Sequence, residues 1–253
     1  MAKDSYFRKH KEKINEGASE ISKTQPQISD EIKAGFEAGS VLLIDKPLHW
    51  TSFDAVRKIR NSIRIKKVGH AGTLDPLATG LLIICTGKFT KKINEYMAQE
   101  KEYTGSITLG AVTPTFDLES EPEQQKDISG ITEEKIYATT VKFTGSIQQV
   151  PPIYSAIKKQ GTALYELARR GEAVEPEPRT VFIRSFEITE INLPKVYFKI
   201  VCSTGTYIRS IANDFGAALG CGGHLSELRR TRIGEFNVND GMTMEQFLAS
   251  LQL

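Results

Sequence analysis

The segment between Gly69 and Gly80, GHAGTLDPLATG, restricts the fold of this 253-residue chain more than any other feature. Its three glycines permit tight turns or the close approach of another molecule. Asp75 precedes Pro76, which biases the Asp75 backbone toward an extended conformation. We therefore predict a stiff, irregular loop that holds one carboxylate, a kind of loop that often carries chemistry on a rigid scaffold. The same features also fit a purely structural turn.

Hydrophobic spacing predicts a mixed α/β core around this loop. Apolar runs and alternating patterns predict strands at residues 41–44, 81–85, 103–109, 181–191 and 196–203. Helical spacing predicts helices after Thr51, at residues 88–99, 131–143 and 163–170, after Tyr207, and at residues 225–230 and 244–251. The helix after Thr51 has four predicted core residues: Phe53, Val56, Ile59 and Ile63.

Three segments depart from this core pattern. Residues 1–36 are polar and mixed in charge, which predicts a loosely packed extension or an added helix. Residues 113–130 are acidic and contain proline, which predicts a surface loop. Residues 148–178 carry basic side chains between proline-rich stretches, which predicts an excursion from the core.

Composition excludes several classes of protein. No apolar run approaches the roughly 18 residues that a membrane span needs, and the charged start MAKDSYFRKHKEK has no apolar signal-peptide region. The three cysteines, which are odd in number and far apart, indicate free thiols in a reducing cytoplasm rather than disulfides or a zinc site. We therefore expect a cytoplasmic protein without a membrane segment or a metal.

Positive charge is clustered although the net charge is only +2. If the clusters share one face, they form a track for nucleic-acid phosphates, and otherwise they are solvated helix faces. The three clusters are Arg57, Lys58, Arg60, Arg64, Lys66 and Lys67; Lys158, Lys159, Arg169 and Arg170; and Arg229, Arg230 and Arg232.

Four blocks of sequence, in order along the chain, resemble the TruB family of tRNA pseudouridine synthases. They are VLLIDKP at residues 41–47, GHAGTLDPLATGLL from residue 69, KEY at 101–103 and GTYIRSIANDFG at 205–216. The resemblance implies the pseudouridine synthase fold, an α+β (mixed α/β) fold with a central, largely antiparallel mixed sheet flanked by helices. It also implies that residues 148–178 form a thumb-like insertion that folds over RNA.

The resemblance implies a domain organisation as well. Residues 38–253 match the catalytic domain, and residues 1–37 form a polar N-terminal extension outside it. Many family members continue into a C-terminal PUA module that binds RNA. Only about twenty residues follow Arg232, so we expect no PUA domain here.

The implied activity is isomerisation of uridine to pseudouridine at position 55 in the T arm of tRNA. The reaction breaks the N1–C1′ bond, rotates the base and rejoins it through C5, so it requires no cofactor and no metal. The target base is stacked in folded RNA and must be flipped out. We expect a monomer with tRNA as its partner.

The resemblance assigns catalytic roles to three residues. Asp75 matches the catalytic aspartate, which adds covalently to the base or the sugar, or takes a sugar proton, and the sequence leaves these routes open. Tyr103 matches the tyrosine that stacks on the flipped uracil and is a candidate for removing the C5 proton. Arg209 matches the arginine that pairs with the aspartate and keeps it ionised.

Four further residues match substrate-binding positions. His70 matches a histidine that occupies the space left by the flipped base. Tyr207 belongs to the same block as Arg209, and Lys46 in the Asp-Lys-Pro turn supports the active-site loop. Leu228 lies where the family uses backbone groups to recognise the uracil edge.

Other classes of function fit the sequence less well. A nucleotide-binding enzyme would need a GK[ST] or G-x-G-x-x-G motif, and a zinc deaminase would need H-x-E with P-C-x-x-C, and the sequence has none of these. A non-catalytic RNA-binding protein would use the same basic clusters. Such a protein would not need Asp75, so this residue discriminates between the two alternatives.

Overall fold

The computed structural model describes residues 28–172 and 175–252, so most of the predicted extension lies outside the described residues. The helices are α1 Asp30–Ala38, α2 Ser52–Ile63, α3 Ile93–Ala98, α4 Glu133–Thr140, α5 Leu164–Arg169, α6 Ile208–Leu219 and α7 Met244–Ser250, with 3₁₀ turns at Gly87–Lys92, Val141–Phe143 and Val238–Asp240. The strands are β1 Val41–Lys46, β2 Val68–His70, β3 Ala78–Thr86, β4 Lys101–Leu109, β5 Gly145–Gln149, β6 Lys158–Lys159, β7 Thr162–Ala163, β8 Arg179–Asn192, β9 Lys195–Cys202, β10 Gly223–Ile233 and β11 Phe236–Asn237.

A central sheet of nine strands organises the described chain. Its main order is β1-β3-β10-β4-β9-β8-β5, with β2 paired to β3 and β11 paired to β10. Strands β3 and β10 run parallel, and the other pairs in the sheet are antiparallel. The predicted mixed α/β core with a largely antiparallel sheet is therefore confirmed.

Two main cores cover different parts of the sheet. Around β4, β8 and β9, helix α6 packs Phe215 against Phe186, with ring centroids 5.3 Å apart. Around β1 and β3, helices α2 and α7 contribute Ile59 and Phe247 to a second core. Burying each of these aromatic side chains stabilises the fold by about 2–3 kcal/mol. Among the described helices, none is long and apolar enough to cross a membrane.

Helix α2 forms where the sequence predicts it, but one predicted core residue is wrong. Its N-terminus has a capping box between Thr51 and Asp54, and Arg64 ends it in the left-handed conformation. Phe53 is 59% exposed, because the buried face of the helix begins at Ser52 instead. The Ser52 hydroxyl accepts from the Leu74 amide at 2.8 Å, and this bond ties the helix to the Asp75 loop.

The helix predicted at residues 225–230 is also wrong, because this segment is the middle of β10. Its two leucines, Leu225 and Leu228, match helical spacing, but the segment pairs with β4 along one edge and with β3 along the other. These ladders satisfy its backbone and override local spacing. The helix predicted at residues 88–99 is divided into a 3₁₀ turn and the short α3.

The acidic loop at residues 113–130 is only partly at the surface, which corrects the prediction. Asp117 is buried, and so are the Thr113 and Thr115 side chains. The Leu225 amide of β10 donates to the Phe116 carbonyl at 2.9 Å, which draws this part of the loop against the sheet.

Between β5 and β8 the chain leaves the sheet, and the structure describes residues 150–172 and 175–178 of this excursion. Within this excursion, β6 and β7 form a small hairpin and α5 follows it. Gln149 and Arg179, the residues on either side of the excursion, are cross-strand partners. Both ends are therefore held in the same sheet.

A row of four residues crosses the sheet directly beneath the Asp75 loop. Lys46 pairs with Gly80, Gly80 with Arg230, and Arg230 with Tyr103. Gly80 has φ +102°, and a Cβ atom there would lie 2.3 Å from the Arg230 carbonyl oxygen. Only glycine fits this position, both for its backbone conformation and for the close approach of β10.

We predict that Gly80→Ala lowers the free energy of unfolding by about 3 kcal/mol, because the new methyl group meets backbone that cannot move aside. Gly35→Ala is the matched control, since Gly35 lies in α1 and no atom lies within 4 Å of the place that its new methyl group would take. That change should be neutral or stabilise by up to about 1 kcal/mol. Urea denaturation measures both, and equal stabilities of the two variants would contradict the close approach at Gly80.

Candidate active site

Asp75 lies on the loop between β2 and β3, with 34% of its side chain exposed. Backbone hydrogen bonds hold the loop at Asp75 and at the residue that follows it. The Ala78 amide donates to the Asp75 carbonyl at 3.0 Å, and the His49 amide donates to the Pro76 carbonyl at 2.8 Å. The carboxylate is therefore presented at an accessible position by a loop with little freedom to move.

Arg209, in the first turn of α6, contacts the Asp75 carboxylate with two nitrogens. Its Nη2 donates to Oδ1 at 3.2 Å, and its Nε lies 2.9 Å from Oδ2 without the alignment of a hydrogen bond. The Arg209 side chain is only 5% exposed. Burial would lower the pKa of Arg209, but the charges of Asp75, Asp117 and Glu119 raise it, so the guanidinium stays charged.

Asp117 is a second carboxylate on Arg209, and the sequence analysis did not identify it. Its Oδ2 lies 3.5 Å from Arg209 Nε, and its side chain is 5% exposed. Burial raises the pKa of the Asp117 carboxyl, while the Arg209 charge opposes that shift. The acidic composition of residues 113–130 was visible in the sequence, but it indicated a surface loop and gave no sign of this ion pair.

Arg209 also donates to two backbone carbonyls from separate segments. Nη1 donates to Thr115 at 3.1 Å, and Nη2 donates to Tyr154 at 3.0 Å. One side chain thus joins the Asp75 loop, the acidic loop and the excursion after β5.

Tyr103 is buried on β4 in the core beneath Leu74. Burial raises the pKa of its phenol, and the nearby positive charge of Arg230 opposes this shift. The aromatic ring therefore lies in an apolar setting with a cation close to its polar end.

Lys46 is fully buried and supports the turn after β1 rather than facing a ligand. Its Nζ donates to the carbonyls of Pro47 at 2.9 Å and Trp50 at 2.6 Å. Burial lowers the pKa of Lys46 to about 8, although the charge of Asp75 partly opposes the shift.

Tyr207 is held at the start of α6 by the two residues that bound the excursion. The Tyr207 amide donates to Gln149 Oε1 at 2.8 Å, and Gln149 Nε2 donates to the Tyr207 carbonyl at 3.0 Å. The Arg179 guanidinium lies over the Tyr207 ring, 4.7 Å from its centroid.

The remaining predicted residues, His70 and Leu228, lie on strands that pair with the same edge of β3, the edge away from β1. His70 ends β2, and burial lowers the pKa of its imidazole. Leu228 is paired with Ala78 of β3 and Gly105 of β4. Together with Asp75 and Asp117, it lines a small cavity.

A larger cavity of about 630 Å³ adjoins this one and shares four lining residues with it: Leu77, Ser226, Glu227 and Leu228. Thr79, Thr104 and Tyr197 contribute to its wall. Its volume is in the range of sites that bind small molecules or single nucleotides. No group of three or more metal-ligating side chains occurs in the described parts of the chain.

The three basic clusters differ in the structure. Arg230 is buried, Arg229 pairs with Asp45 at 2.7 Å, and Arg232 pairs with Glu100 at 3.0 Å. This cluster is therefore not an open track for phosphates, which corrects that interpretation. The other two clusters include exposed cations at Arg64, Lys66, Lys67, Lys158, Lys159 and Arg170.

Comparison with protein families matches residues 60–208 to the N-terminal domain of the TruB family pseudouridylate synthases. Residues 209–253 match the tRNA pseudouridylate synthase B C-terminal domain. The chain is 55% identical over 221 residues to tRNA pseudouridine synthase B of Flavobacterium johnsoniae, covering 85% of this chain and 96% of that protein. It is 49% identical over 218 residues to the same enzyme of Phocaeicola vulgatus, covering 84% of this chain and 93% of that protein.

Among solved structures, the chain is similar to one chain of a Cbf5-Nop10-Gar1 complex. The TM-score is 0.67 at 30% identity, and the match covers 91% of this chain. The chain spans 61% of the length of that solved chain. A structure of an H/ACA RNP bound to a substrate RNA is similar at a TM-score of 0.65 and 28% identity, with 60% of that chain covered.

The site generates a prediction about pH, because burial and the charges of Asp117 and Asp75 raise the pKa of Glu119 from 4.5 to about 7. Between these values the unfolded chain ionises Glu119 while the folded chain keeps it protonated. The stability contributed by this proton is therefore present below pH 4.5 and is lost as the pH rises through about 7.

We predict that Glu119→Gln removes this loss, so that the stability of the variant relative to the natural chain rises from about pH 5 to about pH 7. Urea denaturation at both pH values measures the difference. Glu121→Gln, at an exposed position in the same loop, is the control and should show no such change. A relative stability of Glu119→Gln that is the same at both pH values would contradict the raised pKa.

Proposed function

The chain belongs to the TruB family of pseudouridylate synthases, and from this membership we propose that it isomerises the uridine at position 55 in the T arm of tRNA. Its relatives over most of the chain are named as tRNA pseudouridine synthases, which supports tRNA as the substrate. The proposed enzyme is a monomer in the cytoplasm. The three cysteines are free and buried, which agrees with a reducing compartment.

The observation that carries the proposal is the position of Asp75. Its carboxylate is part of a fixed loop, is contacted by the buried Arg209, and lies at a cavity that Leu228 also lines. A protein that only binds RNA has no need for an accessible carboxylate paired with a buried arginine. A uridine isomerase does need one, because a group must act on the sugar or the base when the N1–C1′ bond breaks.

The reaction balances without a cofactor. The N1–C1′ bond breaks, a C5–C1′ bond forms, the C5 proton leaves and N1 gains a proton. In the proposed mechanism Arg209 pairs with the Asp75 carboxylate and fixes its direction, while Asp75 either attacks the substrate or removes a sugar proton. Tyr103 stacks on the flipped uracil and is the candidate for removing the C5 proton, a step that requires its phenol to have lost its own proton.

Three of the four remaining site residues bind the RNA. Tyr207, held by Gln149 and Arg179, flanks the flipped nucleotide, and Leu228 recognises the uracil edge through its backbone. His70 occupies the space left by the base, and Lys46 holds the turn beneath the loop. Exposed cations of the excursion at residues 150–178, which acts as a thumb, contact phosphates.

We predict that the chain releases tritium from a T-arm stem-loop labelled at C5 of uridine 55, and that Asp75→Asn abolishes release. Each route to pseudouridine loses this proton, so the assay does not depend on the mechanism. Asp45→Asn is the matched control, because Asp45 pairs with Arg229 on the same sheet and has no part in the proposed chemistry.

RNA binding is measured in parallel by filter retention, and Asp75→Asn should bind the stem-loop within about threefold of the natural chain. A folded natural chain that binds the stem-loop but releases no tritium would contradict the proposal and favour the non-catalytic RNA-binding protein. Release from a uridine elsewhere in tRNA would support the proposed isomerisation but contradict position 55 as its target.

A further inference from the structure

Arg230 is the largest of the fully buried side chains, with 1% exposure. It lies on β10, between Gly80 of β3 and Tyr103 of β4. Because Gly80 has no side chain, the backbone of Arg230 lies close against β3, and the Arg230 side chain crosses β3 to reach the Leu81 and Gly72 carbonyls. Arg230 therefore extends across the sheet beneath the loop that carries Asp75.

The guanidinium of Arg230 bonds to backbone on both sides of that loop. Nη2 donates to the Gly72 carbonyl at 3.1 Å, and Nη1 reaches the Thr73 carbonyl at 3.5 Å. Nε donates to the Leu81 carbonyl at 2.8 Å. These acceptors precede and follow Asp75, so one planar group spans the base of the loop.

This arrangement is unusual for a buried charge, because Arg230 has no ion pair within the described residues. Taking a cation out of water without a counter-ion carries a large desolvation penalty. A methionine or leucine would fill the same space without that penalty. The hydrogen bonds from the guanidinium to the loop carbonyls explain why an arginine occupies this position.

The position of Arg230 next to Tyr103 supplies a second contact with the site. The two residues are direct cross-strand partners. Arg230 lowers the pKa of the Tyr103 phenol and so opposes the larger rise caused by burial. Arg230 therefore contacts the loop of the proposed catalytic carboxylate and lies beside Tyr103, the proposed acceptor of the C5 proton.

We propose that Arg230 is a positioning residue for the isomerisation: its guanidinium fixes the Asp75 loop to β10 and holds that loop in register with Tyr103. This inference rests on the proposed function. It differs from the role of Arg209, which contacts the Asp75 carboxylate itself. Arg230 contacts the backbone beneath the loop and does not reach the carboxylate through any hydrogen bond in the described structure.

The test compares Arg230→Lys with the matched control Arg229→Lys. Arg229 is the preceding residue on the same strand and pairs with Asp45 instead of the loop. The single-turnover rate of pseudouridine formation in a pre-bound T-arm stem-loop is measured together with the Kd for that RNA. Arg230→Lys should lower the rate by at least about 100-fold, because a lysine cannot reach three carbonyls and a small shift of a reacting group has an effect of this size.

The same variant should leave the RNA Kd within about threefold, and Arg229→Lys should leave both quantities within about threefold. This separation of rate from binding would not arise from a general loss of stability, provided that the rate is measured well below the unfolding temperature of each variant. A natural rate in Arg230→Lys, or an equal loss in Arg229→Lys, would overturn the proposal.

Nuclear magnetic resonance supplies a direct signature. In chains with ¹³Cζ-labelled tyrosine, the Tyr103 signal, assigned with Tyr103→Phe, should move in Arg230→Lys and stay in place in Arg229→Lys. If Arg230→Lys does not fold, ¹⁵N-arginine spectra of the natural chain decide the question. Separate Hη signals from Arg230 are expected for a clamped guanidinium, and averaged signals would overturn the proposal.

The experiment separates this inference from the proposed function. A natural chain without activity on any tRNA uridine refutes the function, and the positioning role falls with it. An active natural chain together with a fast Arg230→Lys variant refutes only the role of Arg230.

Discussion

The ion pair between Arg209 and Asp75 is the constraint on which the rest of the site depends. A guanidinium that is almost completely buried requires polar partners, and here they come from three distant parts of the chain: Asp75, Thr115 with Asp117, and Tyr154. The local sequence of these segments gives no reason for them to lie close together. They come together because the buried charge of Arg209 would lose a partner if one of them moved away.

The sheet beneath the ion pair supplies the rigidity that such a site requires. Strand β10 lies between β3 and β4, and the absence of a side chain at Gly80 lets β10 approach β3 closely. Ser52 holds the Asp75 loop from the side of α2, and Arg230 holds it from below. The loop is irregular in conformation but is fixed at several points. Asp75 therefore lies on a loop that the neighbouring helix and sheet hold in place.

Parts of this architecture follow from the sequence, and other parts depend on contacts that the sequence does not reveal. The apolar runs of β1 and β3 and the capped helix α2 are local signals, so their prediction was confirmed. Strand β10 was predicted as a helix, because its strand conformation depends on neighbours more than a hundred residues away. The burial of Asp117 was missed for the same reason, since a polar loop usually lies at the surface. Arg209 was identified only through the resemblance, because an arginine in the first turn of a helix is in general a surface residue.

In the proposed mechanism the contact of two Arg209 nitrogens with the carboxylate, and not the positive charge alone, keeps Asp75 in position. The most direct test is the single-turnover rate of Arg209→Lys on a pre-bound T-arm stem-loop, with Arg184→Lys as the control at an exposed ion pair with Glu100. Arg209→Lys should reduce the rate by at least about 100-fold while the RNA still binds, because lysine keeps the positive charge but cannot contact the carboxylate with two nitrogens. A rate for Arg209→Lys equal to that of the natural chain would contradict this role of Arg209.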